Sequence, residues 1–168
     1  MRIRDEAIGD IPALRRLIGA AMLTLPQTAG TEAAIVNRLR AKGALTLPLA
    51  AEAAGAPVGH LAASAARVGG QEGWGLIGPL AVLPAWQRQG IGAALMTEAL
   101  RRLRRTCRGA ALVGDPGYYG RFGFRAFPRF GMAGVPPEVV LALPFDGAAP
   151  VGELVPHPAF GLDRGGAG

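Results

Sequence analysis

The sequence has 168 residues, a length typical of one domain that can bury a continuous core. Half of the residues are apolar and 18% are charged, a composition that excludes an intrinsically disordered chain. The net charge of +6 comes almost entirely from arginine, and the abundance of Ala, Gly, Pro and Arg indicates a compositional bias rather than a nucleic-acid-binding surface.

The first part of the chain predicts one strand and two helices. Strand 2–7 precedes Asp10-Ile11-Pro12, a helix start with Asp10 as the N-cap and proline in the first turn. The helix that follows has apolar residues at helical spacing, namely Leu14, Leu17, Ile18 and Ala21. A second helix is predicted over 31–42, because Gly43 then ends the pattern.

The middle of the chain predicts antiparallel strands and then a strand–helix–strand unit. Strands 45–53, 58–67 and 74–83 are separated by glycine-containing turns. The clearest helix covers 91–105, and a buried strand, 110–114, follows it directly. This order requires a crossover between parallel strands, so the predicted fold class is mixed α/β.

The C-terminal part predicts weaker elements. A short helix begins at Asp115-Pro116, and a late strand covers 139–144. The pattern then fades, and the last residues are expected to form a flexible tail. We predict one domain over 1–145 and a C-terminal segment, 146–168, that packs partly on it.

A glycine-rich segment before the clearest helix is the strongest candidate binding site. It reads Gln87-Arg88-Gln89-Gly90-Ile91-Gly92-Ala93. Glycine permits a sharp turn and a close approach to an anion, and the first N–H groups of a helix have no intrahelical partners. Such a loop can hold a pyrophosphate. Leu95 replaces the third glycine of a Rossmann loop, and no Gly-Lys-Ser/Thr is present for a P-loop.

This segment resembles the Q/R-x-x-G-x-G/A loop of the GNAT acetyltransferases, and the strand expected before it is present as Gly78-Pro79-Leu80-Ala81-Val82-Leu83-Pro84. The resemblance implies the GNAT acyl-CoA N-acyltransferase fold: a mixed, mostly antiparallel sheet with a central splayed parallel strand pair, flanked by helices. It also implies acetyl-CoA as cosubstrate. By this resemblance the pantetheine arm contacts Leu80, Ala81 and Val82, and the pyrophosphate contacts Arg88, Gln89, Gly90, Ile91, Gly92 and Ala93.

A second segment resembles the same family. Residues 114–124 read Gly-Asp-Pro-Gly-Tyr-Tyr-Gly-Arg-Phe-Gly-Phe, a form similar to a bacterial subgroup of acetyltransferases. The resemblance implies that Tyr119 lies beside the thioester sulfur as the general acid and that the backbone of Leu80 contacts the oxyanion. A phenol with an ordinary pKa of about 10 stays protonated near neutral pH. A packing role for Tyr119 is the alternative, and Tyr118 is expected in the core or a pocket wall.

The sequence does not identify the general base. Some GNAT members carry a glutamate or histidine on the strand before the loop, whereas residues 76–80 have no titratable side chain. Glu72, His60 and Asp115 are the candidates, and Asp115 also fits a helix cap. Attack by an already neutral amine in a solvated site is the alternative to all three.

The main functional hypothesis is an N-acetyltransferase that passes an acetyl group from acetyl-CoA to a primary amine by direct attack. A CoA-binding regulatory module without turnover is the alternative, motivated by the absent strand base, and an arginine-driven nucleic-acid binder is a third. The acceptor stays open between a small-molecule amine, an amino acid, a peptide N-terminus and a protein lysine.

The cysteine and histidine content and the hydropathy of the sequence predict its disulfide, metal, membrane and partner properties. Cys107 is alone, which excludes an intramolecular disulfide, and the two histidines have no metal-ligand spacing. The first residues lack a signal peptide's apolar run, and the longest uncharged stretch, 53–66, is too short to cross a bilayer. We expect a cytoplasmic bacterial protein with no metal and no nucleic-acid or membrane partner, whose exposed strand edge can support a homodimer.

Overall fold

The structure is a computed structural model that describes residues 1–22 and 32–160. Its strands are β1 (Arg2–Asp5), β2 (Leu45–Ala53), β3 (Ala56–Val68), β4 (Gln71–Val82), β5 (Gly109–Val113), β6 (Phe130–Gly131), β7 (Val140–Pro144) and β8 (Gly152–Pro156). Its helices are α1 (Ile11–Met22), α2 (Glu32–Ala41), α3 (Ile91–Leu103) and α4 (Pro116–Tyr119). The predicted flexible tail and the predicted first residue of α2, Thr31, lie outside the described residues.

The strands form one mixed sheet in the order β1-β2-β3-β4-β5-β7. Every neighbouring pair in this order is antiparallel except β4 and β5, which are parallel. The crossover between these two strands is α3, as the strand–helix–strand pattern predicts. The predicted fold class is therefore confirmed.

The parallel pair is short, and the two strands then separate. Pairing covers Trp74↔Gly109, Gly75↔Ala110 and Leu76↔Ala111, whereas β4 continues to Val82 beside β3. On β4 the three steps from Ile77 to Leu80 face two steps on β3, so one extra residue forms a bulge. The space beyond Leu76 on the β5 side of β4 is called the β4–β5 gap below.

Helices cover both faces of the sheet. The buried residues of α3 on one face are Ile91, Leu95, Met96, Ala99, Leu100 and Leu103. The opposite face carries α1 and α2, which pack over Ala62 and Ala81. Gly59 and Gly75 let α3 lie close to the sheet, because a Cβ at either would be 3.1 Å from a methyl carbon of Leu95 or Leu103. Apolar burial on both faces fixes the sheet between two helical layers.

Asp10 does not have the predicted role of capping α1. Its carboxylate accepts hydrogen bonds from the Arg4 guanidinium and from the Ala7 N–H, both at 2.7 Å. The carboxylate therefore holds the turn that precedes α1. A charged partner on β1, invisible to a local capping rule, decides this geometry.

The C-terminal segment contains a strand that the sequence pattern does not predict. β8 pairs antiparallel with residues 66–68 at the end of β3, and β6 pairs parallel with β8. Leu154 is the buried residue of β8, which is too little apolar patterning for a sequence-based assignment. Backbone pairing with the long β3 therefore stabilises β8, whose own sequence pattern is weak.

The described residues contain neither a membrane-spanning helix nor a metal-binding cluster. Over residues 1–22 and 32–160, no helix is long and apolar enough to cross a membrane. Within these ranges no group of three or more His, Cys, Asp or Glu side chains comes together as a metal site.

Candidate active site

The glycine loop, residues 87–93, joins the end of β4 to α3. Gly90 is the N-cap of α3 and has a φ of 82°, in the left-handed region where glycine is unstrained. A Cβ at this position would have no atom within 4 Å, so the space above the loop is open. Among the described residues, no hydrogen bond uses the N–H groups of Ile91, Gly92 or Ala93. These amides lie at the positive end of the helix dipole and can bind an anion.

Two glutamine side chains stabilise the glycine loop by hydrogen bonds to backbone carbonyls. Gln87 donates from Nε2 to the Val82 carbonyl at 3.0 Å, and Gln89 donates to the Ala85 carbonyl at 3.4 Å. The first bond ties the start of the loop to the end of β4. Arg88 is an exposed residue of the same loop, and its φ of 63° is in the left-handed region.

Leu80, Ala81 and Val82 form the last part of β4, beside the β4–β5 gap. They pair with Leu61, His60 and Gly59 of β3 and have no partner on β5. Backbone groups of this stretch that point away from β3 therefore face the gap without a strand partner. An amide-containing ligand can pair with such an edge as an additional strand would.

α4 lies next to the gap and is capped as predicted. Asp115 is its N-cap, and its Oδ1 accepts from the Gly117 N–H at 2.9 Å, while Pro116 occupies the first helical position. The carboxylate lies close enough to Tyr119 to act on its ionisation. The cap fixes the start of α4, the helix that carries Tyr118 and Tyr119.

Tyr119 is largely enclosed by apolar neighbours. Its ring packs against the α3 side of the core and meets Phe124 edge-on at 6.3 Å between centroids. Burial raises the pKa of its hydroxyl to about 12, and the nearby charges of Tyr118 and Asp115 act in the same direction. The phenol therefore stays protonated throughout the physiological pH range.

Tyr118 lies closer to the glycine loop than the sequence indicates. A Cβ at Gly92 would be 3.2 Å from the Tyr118 Oη, which places this hydroxyl at the first turn of α3. Arg121 stacks over the ring at 4.4 Å, and the Tyr119 ring meets it edge-on at 4.9 Å. The sequence analysis expected Tyr118 in the core or a pocket wall, and only its contact with Gly92 of α3 places it beside the glycine loop.

The three candidate bases lie in different surroundings. His60 is fully buried, and its Nε2 is 2.8 Å from Glu6 Oε1. Glu72 is exposed near the start of β4, about 26 Å along the strand from Leu80 at the usual rise per residue. Asp115 is near Tyr119 but holds the α4 cap. Of these three candidates, none is therefore already set to take a proton from an amine at Leu80.

Comparison with known proteins places this architecture in a family. The family model described as Acetyltransferase (GNAT) family matches residues 14–124. A GNAT family acetyltransferase from Brucella melitensis, solved in complex with acetyl-CoA, is 40% identical, with a TM-score of 0.83 over 95% of this chain and 97% of that one.

A second solved structure is a GNAT family N-acetyltransferase from Escherichia coli in complex with CoA. It is 28% identical, with a TM-score of 0.85 over 95% of this chain and 91% of that one. A search of curated proteins found no match. The matched residues include the β4–β5 gap, the glycine loop and both tyrosines. The chain therefore belongs to the GNAT family of acetyltransferases, enzymes whose cosubstrate is acetyl-CoA.

Proposed function

We propose that this chain transfers the acetyl group of acetyl-CoA to a primary amine by direct attack of the amine on the thioester. One observation carries this proposal. The unpaired edge of β4 beyond Leu76, the N-terminus of α3 and the tyrosines of α4 meet at the same end of the sheet. Together they supply an amide-pairing edge, an anion site and a phenol, which are the three groups that an acyl-CoA thioester requires.

The residues present fit the cosubstrate. The open space over Gly90 and the available N–H groups of Ile91, Gly92 and Ala93 suit a pyrophosphate, with the exposed Arg88 in the same loop. The edge formed by Leu80, Ala81 and Val82 suits the amides of a pantetheine arm. The relatives from Brucella melitensis and Escherichia coli were solved with acetyl-CoA and CoA, respectively, which supports the same ligand for this chain.

The proposed chemistry breaks one bond and forms one. The amine nitrogen attacks the carbonyl carbon, so a C–N bond forms and the C–S bond breaks. The sulfur takes the proton of the Tyr119 hydroxyl, the nitrogen releases a proton to water, and the phenolate regains a proton from solvent. The products are the N-acetylated amine and the free thiol of CoA, with no covalent enzyme intermediate.

Leu80 and Tyr119 carry the proposed catalytic contacts. The backbone N–H of Leu80 would donate to the oxyanion, where a fixed donor is most effective because it needs no reorganisation. The hydroxyl of Tyr119 would meet the departing sulfur. We propose that the amine arrives neutral or loses its proton to water, because residues 76–80 carry no titratable side chain and His60 is bonded to Glu6.

The lack of a titratable side chain on residues 76–80 motivates a second candidate function, a regulatory module that binds acetyl-CoA without turnover. The two candidates differ in one measurement. An enzyme releases the thiol of CoA in an amine-dependent reaction that weakens in Tyr119→Phe, whereas a binding module shows saturable binding and no amine-dependent thiol release from the wild type.

Calorimetric titration with acetyl-CoA tests the proposal at its binding step. Gly90→Glu adds bulk and negative charge to the glycine loop and should abolish saturable binding. Gly70→Glu is the matched control, because Gly70 has a φ of 81°, no atom within 4 Å of a Cβ, and a place in the β3–β4 turn away from the loop. Absence of binding by a folded wild type would overturn the acetyl-CoA assignment, and equal loss in both variants would overturn the loop assignment.

A further inference from the structure

An apolar cleft of about 270 Å³ opens between α2 and β4. Its apolar walls include Ile35 of α2, Leu76 and Pro79 of β4, Val113 at the end of β5, and Met132 and Phe160 from the C-terminal half. These residues are distant in the sequence, so the cleft exists only after α2, the sheet and the C-terminal half have assembled.

The cleft adjoins the proposed acyl-transfer position on the side of the β4–β5 gap where α2 lies. α2 packs with α1 over Ala62 and Ala81, whereas neighbouring β3 residues such as Leu61 belong to the α3 side. Along β4 the cleft runs from Leu76 to Pro79, about 10 Å at the usual rise per residue, and ends next to Leu80. An acceptor in the cleft would thus reach the thioester through the β4–β5 gap.

The walls favour an apolar occupant. Val113 is 46% exposed and is one of the large apolar side chains on the surface of the described residues. Covering it and its neighbours with an apolar group removes this surface from water, which is favourable. The volume corresponds to about nine water molecules, and so to an organic group of about nine non-hydrogen atoms.

The lining of the cleft also includes an acidic side chain. Glu32, in the first turn of α2, is the ionisable residue among those that the structure places in its lining. A carboxylate attracts an ammonium ion and repels a second carboxylate across a low-dielectric cleft. It therefore favours an amine without an acidic group.

We propose that the acceptor is a small primary amine carried on an uncharged apolar group of about nine non-hydrogen atoms, such as an arylalkylamine or a branched alkylamine. This inference rests on the proposed acetyl transfer. The apolar group fills the cleft toward Leu76, Glu32 attracts the ammonium form, and the amine nitrogen reaches the thioester beside Leu80. Amino acids bring a carboxylate close to Glu32, and polyamines bring several charges into an apolar cleft.

An acceptor panel with purified full-length protein and acetyl-CoA tests the inference by thiol release. The probes are 2-phenylethylamine, isoamylamine, ethanolamine, spermidine, glutamate and a lysine-containing peptide. We expect kcat/KM for 2-phenylethylamine to exceed that for ethanolamine by at least about tenfold, the order of a few buried methylene groups. Equal or higher values for ethanolamine, spermidine, glutamate or the lysine peptide would overturn the inference.

Paired variants locate the effect in the cleft. Val113→Asn places a polar group in the wall and should raise KM for 2-phenylethylamine severalfold, whereas Val151→Asn, at an exposed valine outside the cleft, should not. Glu32→Gln should raise KM for the same amine, with Glu72→Gln as its control. Calorimetric affinity for acetyl-CoA should be unchanged in all four variants, and unchanged KM in both cleft variants would overturn the inference.

A separate readout distinguishes failure of the inference from failure of the proposed function. Binding of 2-phenylethylamine is measured by protein NMR without acetyl-CoA, by following the methyl signals of Val113 and Met132. Shifts of these signals that Val113→Asn weakens support the cleft assignment even if no acetyl group is transferred. Absence of shifts in a protein that does acetylate another amine would overturn the inference and leave the proposed function standing.

Discussion

The ring of Tyr119 occupies the space that any side chain at Gly114 would need. A Cβ built at Gly114 would lie 2.4 Å from Tyr119 Cε2 and 2.8 Å from Cδ2, closer than real Cβ contacts. Gly114 directly follows β5, and Tyr119 is the last residue of α4, so this contact sets how α4 sits against the β4–β5 gap. The position of the proposed general acid therefore depends on an absent side chain five residues earlier.

Gly114→Ala should displace the Tyr119 ring. We expect kcat for acetyl transfer to fall at least about tenfold, because a small misplacement of a catalytic group is costly, and the free energy of unfolding to fall by about 1–2 kcal/mol from overpacking. Gly120→Ala is the control, since a Cβ there meets no atom within 4 Å. Steady-state kinetics and urea unfolding check both values. A Gly114→Ala enzyme with wild-type kcat would show that the ring position is unimportant.

Removal of each tyrosine hydroxyl separates the roles of Tyr118 and Tyr119. We expect Tyr119→Phe to lower kcat about 100-fold, near the low end for general acid catalysis, because an acid with a pKa of about 12 is poorly matched to a thiol. Tyr118→Phe should weaken acetyl-CoA binding with little change in kcat, because its hydroxyl lies by Gly92. The reverse pattern in kinetics and calorimetry would assign the acid role to Tyr118.

The pH–rate profile gives an independent check on Tyr119. Since its pKa is raised to about 12, ionisation of this phenol should cause no loss of kcat up to about pH 10. A fall in kcat with an apparent pKa near 10, present in the wild type and absent in Tyr119→Phe, would contradict the burial that the structure shows.

The buried carboxylate of Glu6 is expected to make stability depend on acid pH. Burial opposes its ionisation, but hydrogen bonds from His60 and from Arg40 outweigh burial and lower the pKa of Glu6 from 4.5 to about 2. Because the folded pKa lies below the unfolded one, this contribution to stability is complete above about pH 4.5 and is lost as the pH falls toward 2.

Glu6→Gln should therefore destabilise the protein by about 2 kcal/mol at neutral pH, since it removes the charge that partners Arg40 and His60. Its difference from wild type should shrink as the pH falls from about 4.5 to 2. Urea unfolding at several pH values measures this, with Glu138→Gln, at an exposed glutamate, as the control. A difference that stays constant down to pH 2 would contradict the lowered pKa.

Local signals in the sequence predicted the helices, most of the strands and the glycine loop. Strand β2 spans Leu45–Ala53 as predicted, and Asp115 caps α4, because alternation, glycine punctuation and capping depend on residues only a few positions apart. The left-handed N-cap at Gly90 follows from the same kind of signal. Family membership is confirmed, while the roles of Leu80 and Tyr119 stay predictions.

Tertiary structure decided the features that join distant parts of the chain. His60 meets Glu6 across 54 positions, β8 pairs with the distant β3, and Tyr118 reaches Gly92 from another helix. No local pattern encodes such contacts, because their energy comes from burial and pairing that exist only once the sheet has formed. The α2–β4 cleft is likewise determined by tertiary structure, since its walls meet only in the folded chain.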